Sequence, residues 1–229
     1  STSPVAEIGR VGDSFALALG PDDRPALAAL QSADQHIEVA LPDGSAWSLQ
    51  AVDRSGPRGH FAGFAAARDG SLHLGYVDDD QHVGYAWRRD GTWHRLEVAT
   101  HWDDAELIAQ HVDTAVADDG TPHLCFYDNT WTALFYSTIG ADGTWKTERA
   151  DKKGDVGEAC AIAVDAEGRP TIVYRASANS VEYETRILQR TADGAWNRLP
   201  AVEHHPARPP SYDLALSKPT GIRLQRLPI

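Results

Sequence analysis

Four tryptophans, Trp47, Trp93, Trp145 and Trp196, each close a short Asp-Gly run, DGSAW, DGTW, DGTW and DGAW, at successive steps of 46, 52 and 51 residues. A period of that size marks a propeller or a stacked array, because each unit is too small to bury its own apolar face and needs a neighbour. A second mark keeps the same beat. Pro25, Leu72, Pro122 and Pro170 open the apolar runs PALAAL, LHLGYV, PHLCFY and PTIVYR, at steps of 47, 50 and 48.

Within each unit, four short apolar or alternating runs are separated by Gly, Asp, Asn and Pro clusters, which is the pattern of strands and hairpins. The second unit shows it most plainly, as FAGFAAA, SLHLGYV, HVGYAWR and TWHRLEV. The first run of every unit is rich in Ala and Gly, and the fourth carries Trp and long polar side chains. Sheets arranged radially crowd at the axis and splay at the rim, so the first strand is expected innermost.

The fold predicted is all-β, a five-bladed β-propeller with blades of about 48 residues in one domain over 1–229. The blades fall at about 12–54, 55–100, 101–153 and 154–203, with 204–229 plus 1–11 forming the last. YDLALSKPTG lines up with VDTAVADDG at an offset of 100, and PVAEIGR can supply an outer strand. N- and C-terminal strands in one blade would then close the ring and remove an exposed edge.

The chain has 33 acidic against 21 basic residues, a net charge of −12, which argues against nucleic acid and anionic membrane surfaces as partners. No apolar run is long enough to span a bilayer, so membrane insertion is not expected and a soluble chain is. The sequence begins at Ser1 and has no Met. A removed leader, pointing to secretion or the periplasm, and an excised domain, which leaves the cytoplasm open, both explain this. Cys125 and Cys160 sit in apolar runs without Cys-x-x-Cys spacing, which reads as two buried thiols, with a bridge between neighbouring repeats as the alternative.

The DGTW hairpins at 90–93 and 142–145 resemble degenerate Asp boxes of the sialidase-like propeller families, which carry Asp-x-Gly-x-Thr-Trp between the third and fourth strands. The motif is structural in those families, so the resemblance implies fold and not activity. The arginine cluster that sialidases use for the substrate carboxylate is not identifiable in this chain. The total length resembles five-bladed lectins of the tachylectin type, and runs such as DDGTPHLCFYD are similar to bacterial repeat propellers of unassigned role.

In a propeller, the loop entering strand one and the loop joining strands two and three open on the same face, where ligands gather around the axis. Alignment of the units puts Asp13, His60, Gln110 and Glu158 at equivalent positions near the start of the inner strands. His36, His82, His101, Asp103, Asp104 and Glu106 fall in loops of that face, and His204 and His205 are assigned to the last entry loop. Asp113 and Asp213 align inside Ala-rich inner strands, where a carboxylate needs a partner or a shifted pKa. The repeated tryptophans and the repeated pair His73 and His123 read as scaffold.

The ring Asp13, His60, Gln110, Glu158 is unlike from blade to blade, which favours one asymmetric axial site over a pocket repeated in every blade. The expected function is an enzyme, a hydrolase or lyase acting on a sugar-containing or other small polar substrate. His60, His111, Glu158, Asp113 and Asp213 are the catalytic candidates, and Asp13, Gln110, Asp78, Asp128 and Arg175 the substrate-binding ones. A divalent metal, calcium or zinc, held by His60, His111 and Glu158 is a variant of this reading. The alternative is a non-catalytic lectin-like or protein-binding propeller.

Overall fold

The computed structural model describes residues 11–31, 36–52, 60–78, 80–177, 183–205, 213–217 and 221–225, and in them every regular element is a strand. The first sheet holds β1 (Val11–Leu19), β2 (Pro25–Gln31), β3 (Ile37–Asp43) and β4 (Ala46–Ala51). β5 (His60–Ala66), β6 (Leu72–Val77), β7 (Val83–Arg89) and β8 (Thr92–Ala99) form the second. A small hairpin follows, β9 (His101–Trp102) and β10 (Ala105–Glu106). The third sheet is β11 (Ala109–Val116), β12 (Pro122–Asp128), β13 (Ala133–Ile139) and β14 (Trp145–Asp151). The fourth is β15 (Val156–Val164), β16 (Pro170–Ser177), β17 (Tyr183–Arg190) and β18 (Trp196–His205), and the pair β19 (Asp213–Ser217) and β20 (Gly221–Gln225) comes last. Each sheet is an antiparallel meander in chain order.

Short turns join the strands because Asp and Gly recur where the backbone must turn left-handed. Gly91, Gly143 and Gly194 sit at φ of 82°, 77° and 83° between the third and fourth strands. The Asp142 carboxylate accepts the Thr144 amide at 3.1 Å and its hydroxyl at 2.8 Å, which closes one such turn without help from the rest of the fold.

The core lies between sheets, not inside any one of them. Val39, Phe64 and Leu74 join the first sheet to the second, and Tyr85, Leu124 and Phe135 the second to the third. Cys125, Ile162 and Tyr174 join the third to the fourth. Successive inner strands β1, β5, β11 and β15 pack side by side. The approach is closest at Gly63, where an added Cβ would lie 2.4 Å from Asp113 Cα and from the Thr114 amide nitrogen. That is the crowding expected near an axis.

The Asp-Gly tryptophans rivet sheet to sheet. Trp145 of the third sheet stands edge-on to Tyr85 of the second, ring centres 5.1 Å apart, and Trp196 of the fourth meets Tyr136 of the third at 5.2 Å. Behind each tyrosine sits a repeated histidine, His73 bonded to the Tyr85 hydroxyl and His123 Nδ1 lying 2.6 Å from that of Tyr136. Burial pushes both imidazoles down to about 4.

One face of β1 is uncovered. Phe15, Leu17 and Leu19 are 72%, 63% and 59% exposed, whereas Phe64 and Ile162 at the matching places of later inner strands are buried against the preceding sheet.

Candidate functional site

Every full sheet breaks register in its inner strand. On β11 two residues, His111 and Val112, stand opposite Phe126 alone, and on β15 Ala159 and Cys160 stand opposite Tyr174. β5 carries the same irregularity between His60 and Ala62, and β1 carries one between Val11 and Phe15. Such bulges bend a strand and re-aim side chains. His111 and Ala159 sit at φ of 52° and 50°, a left-handed conformation that side-chain-bearing residues adopt only when their surroundings hold them there.

The bulge gives the polar ring read from the repeat a common backbone position. His60 pairs with Val77, Gln110 with Tyr127 and Glu158 with Arg175, each at the last register before the break, while Asp13 lies within the irregular stretch of β1. The side chains of Asp13, His60 and Asp213 fall outside the described residues.

Where side chains are described, a polar group gathers at the junction of the third and fourth sheets. Arg175, 3% exposed, forms an ion pair with Glu158, which is 24% exposed, and its guanidinium lies 5.4 Å from the ring centre of Tyr183. Across the junction, Tyr127 donates its hydroxyl to Asp155 at 2.9 Å. Burial first, and the Asp155 hydrogen bond next, push the Tyr127 phenol far up, so it serves as a neutral donor and not as a base. Tyr127, Asp155 and Tyr183 are additions to the sequence-derived set. Tyr127 could have been found there, because it occupies the place of Arg175 one period earlier.

Other candidates stand elsewhere. Asp113 Oδ2 accepts the Ile162 amide at 2.8 Å, so this inner-strand carboxylate bonds to the backbone of the next inner strand. Asp78 accepts the His82 amide at 2.8 Å, and Asp128 accepts the amides of Ile108 at 2.6 Å and Trp131 at 2.8 Å. Both carboxylates brace the turn joining strands two and three, and burial raises the pKa of each against these hydrogen bonds. His204 and His205 lie on β18, paired with Glu184 and Tyr183, and not in an entry loop. The strand runs longer than the alignment suggested because β17 offers it a full-length partner. His101 and Glu106 belong to the small hairpin β9–β10, and Glu106 meets His82 at 3.2 Å.

Among the described residues, Asp78, Asp80 and His82 place donor atoms within 4.8 Å of one another, close enough for a shared cation, and that group includes neither His111 nor Glu158. A polar cleft of about 230 Å³ lies at the opposite ends of the second-sheet strands, lined by Asp69, Ser71, Arg88 and Arg89 among others. Its walls serve the local structure, Asp69 accepting the Ser71 amide at 2.9 Å within a turn and Arg88 of β7 donating to Gln50 of the first sheet at 2.8 Å.

No protein-family model and no curated protein sequence matches the chain. Solved structures do. A protein of unknown function from Dyadobacter fermentans superposes at a TM-score of 0.63 and 13% identity, over 93% of this chain and 78% of that one. The Aleuria aurantia lectin in complex with α-methyl-L-fucoside gives 0.57 at 13% identity, over 85% of this chain and 63% of the lectin. An ulvan lyase of polysaccharide lyase family 25, bound to a GlcA–Rha3S unit, gives 0.59 at 12% identity, over 88% of this chain and 60% of the lyase. The chain thus spans under two thirds of the lectin and of the lyase. At such identities the likeness concerns the fold alone: an all-β chain of propeller type, built from antiparallel sheets in sequence order.

Proposed function

We propose that this chain is a carbohydrate-directed propeller with one asymmetric site at the axial ends of the third and fourth sheets, and that the site performs hydrolysis or elimination on a saccharide. The observation that carries the reading is the unlike chemistry at one repeated position: Val77, Tyr127 and Arg175 stand opposite His60, Gln110 and Glu158 at the same register of successive sheets. A pocket reused in every blade would hold the same polar groups each time. Here each sheet contributes something different, as a single site needs.

The roles follow from the chemistry. Glu158, engaged by a guanidinium, acts as a hydrogen-bond acceptor or base and not as a proton donor. The hydroxyl-rich faces of a sugar suit the Glu158 carboxylate, while Tyr183 presents an aromatic face for its C–H surface. His111, partly exposed on a bulge, is the candidate acid or base, with His60 and Asp213 as the other catalytic candidates. Gln110 and Asp13 would meet substrate hydroxyls, and Asp113 would support the inner strand that presents His111. A divalent metal, calcium or zinc, at His60, His111 and Glu158 remains part of the proposal. Closure of the ring into five blades by 204–229 and 1–11 is proposed with it.

The likeness to a solved lectin supports a second reading, binding without turnover, and Arg175, at 3% exposure, cannot itself reach a ligand under either. One experiment separates the two. The chain is incubated with neutral and uronic-acid polysaccharides, with and without chelator, while new reducing ends and unsaturated products are followed and a glycan array records binding. Turnover that Glu158→Gln and His111→Ala each lower at least ~100-fold supports catalysis. Array binding with no product from any polymer establishes the lectin reading, and neither binding nor product sinks both.

A further inference from the structure

Cys125 and Cys160 face each other across the boundary between the third and fourth sheets. Cys125 lies on β12, where it pairs with Asp113 and Tyr136, and Cys160 lies in the bulge of β15. The left-handed residue Ala159 precedes it, and the Cys160 side chain meets groups of the third sheet. The two Sγ atoms are 2.6 Å apart, well inside the ~3.5–4.0 Å at which unbonded heavy atoms rest. Both side chains are buried among Leu134, Tyr136, Ile162 and Tyr174.

We propose that Cys125 and Cys160 are a covalent modification site, forming a disulfide that staples the third sheet to the fourth. The oxidant is a small-molecule disulfide of the glutathione class. The Cys160 thiolate attacks one of its sulfurs, the reagent's S–S bond breaks, and one reagent thiolate departs. The Cys125 thiolate then attacks the Cys160 sulfur of the mixed disulfide, forming the Cys125–Cys160 bond and releasing the second reagent thiolate. Two electrons pass from the cysteines to the reagent, and the two cysteine protons end on the two departing thiolates.

Burial sets when this happens. It pushes both thiols up, so in the folded chain few thiolates form and no reagent reaches them. The bond therefore forms while the two sheets are docking and, once made, resists reductants until the chain opens. The Cys160 thiol donates to the His111 carbonyl at 3.0 Å, so oxidation removes that donor and touches the bulge beside the proposed site.

The test is refolding of the full chain from denaturant in buffer containing reduced and oxidised glutathione, and separately in excess reductant. Acid quenching, unfolding with N-ethylmaleimide and intact-mass measurement follow. The expected product from glutathione buffer carries no adduct and weighs two hydrogens less than the unalkylated reduced chain, whereas the chain from reductant carries two adducts. Its thermal midpoint should lie roughly 10 °C above that of the reduced chain, because the bridge closes a loop of 35 residues. Two adducts after oxidative refolding, a glutathione retained on either cysteine, or an oxidised chain no more stable than the reduced one would each overturn the proposal. The comparison uses one sequence in two redox states, so no variant has to fold for it to be read.

Discussion

Two imidazoles carry the clearest consequence of burial at the scale of the residue. His73 and His123 have folded-state values near 4 against 6.5 in an open chain, so the unfolded chain binds their protons more tightly. Their cost to stability is absent above about pH 7, begins as pH falls through 6.5 and is complete below about 4. Each full shift corresponds to roughly 3 kcal/mol. Urea midpoints measured from pH 7.5 to 4 should fall across that window, and His73→Gln with His123→Gln should flatten the fall. Were these histidines to titrate normally by NMR, the scaffold account of them would be wrong. The same scale separates the candidate carboxylates. Asp113→Asn keeps an acceptor for the Ile162 amide, so it should cost stability by only about 1 kcal/mol while Asp113→Ala costs ~2 or more. An effect of the Asn variant on turnover without one on unfolding would return Asp113 to the catalytic group.

At the scale of the element, the inner strands and the Asp-Gly hairpins do different work. The inner strands must come close, and Gly63→Ala would drive a methyl into the backbone of β11. A loss of about 1–3 kcal/mol in equilibrium unfolding is expected, with strand separation as the only relief. The hairpin tryptophans are knobs for the preceding sheet, so Trp145→Ala should cost about 3–5 kcal/mol while leaving any saccharide binding unchanged per folded molecule. Loss of binding at full stability would make that ring a ligand platform instead. Most strand positions, the hairpins and the small inner residues were legible because Gly, Asp and alternating apolar residues respond to local backbone demands, while the end of β18 was not. The bulge was not. A bulge is a mismatch between two strands, and nothing in HVDTAV or EACAIA spells the extra residue.

At the scale of the whole molecule, the first sheet carries a row of exposed apolar side chains. Phe15, Leu17 and Leu19 repeat an alternation that later inner strands use for packing against the sheet before them, yet these three side chains meet solvent. Ring closure by 204–229 and 1–11 would bury the row. Under closure, Leu17→Asp should lower stability by ~2 kcal/mol, measured by denaturant unfolding, and a row that stays in water should tolerate it within about 0.5.

The sequence alone determined the period, the strand content, the order of strands within each sheet and the scaffold roles of the repeated Trp and His. All of these follow from contacts within a unit or between identical units. Tertiary structure alone decided that Arg175 is claimed by Glu158, that Asp113 bonds to its neighbour's backbone and that two cysteines 35 residues apart touch. The first is a cross-strand pair whose register the bulge of β15 sets, and the other two join residues of different sheets, whose partners are fixed by how sheets stack, which no local pattern in the chain records.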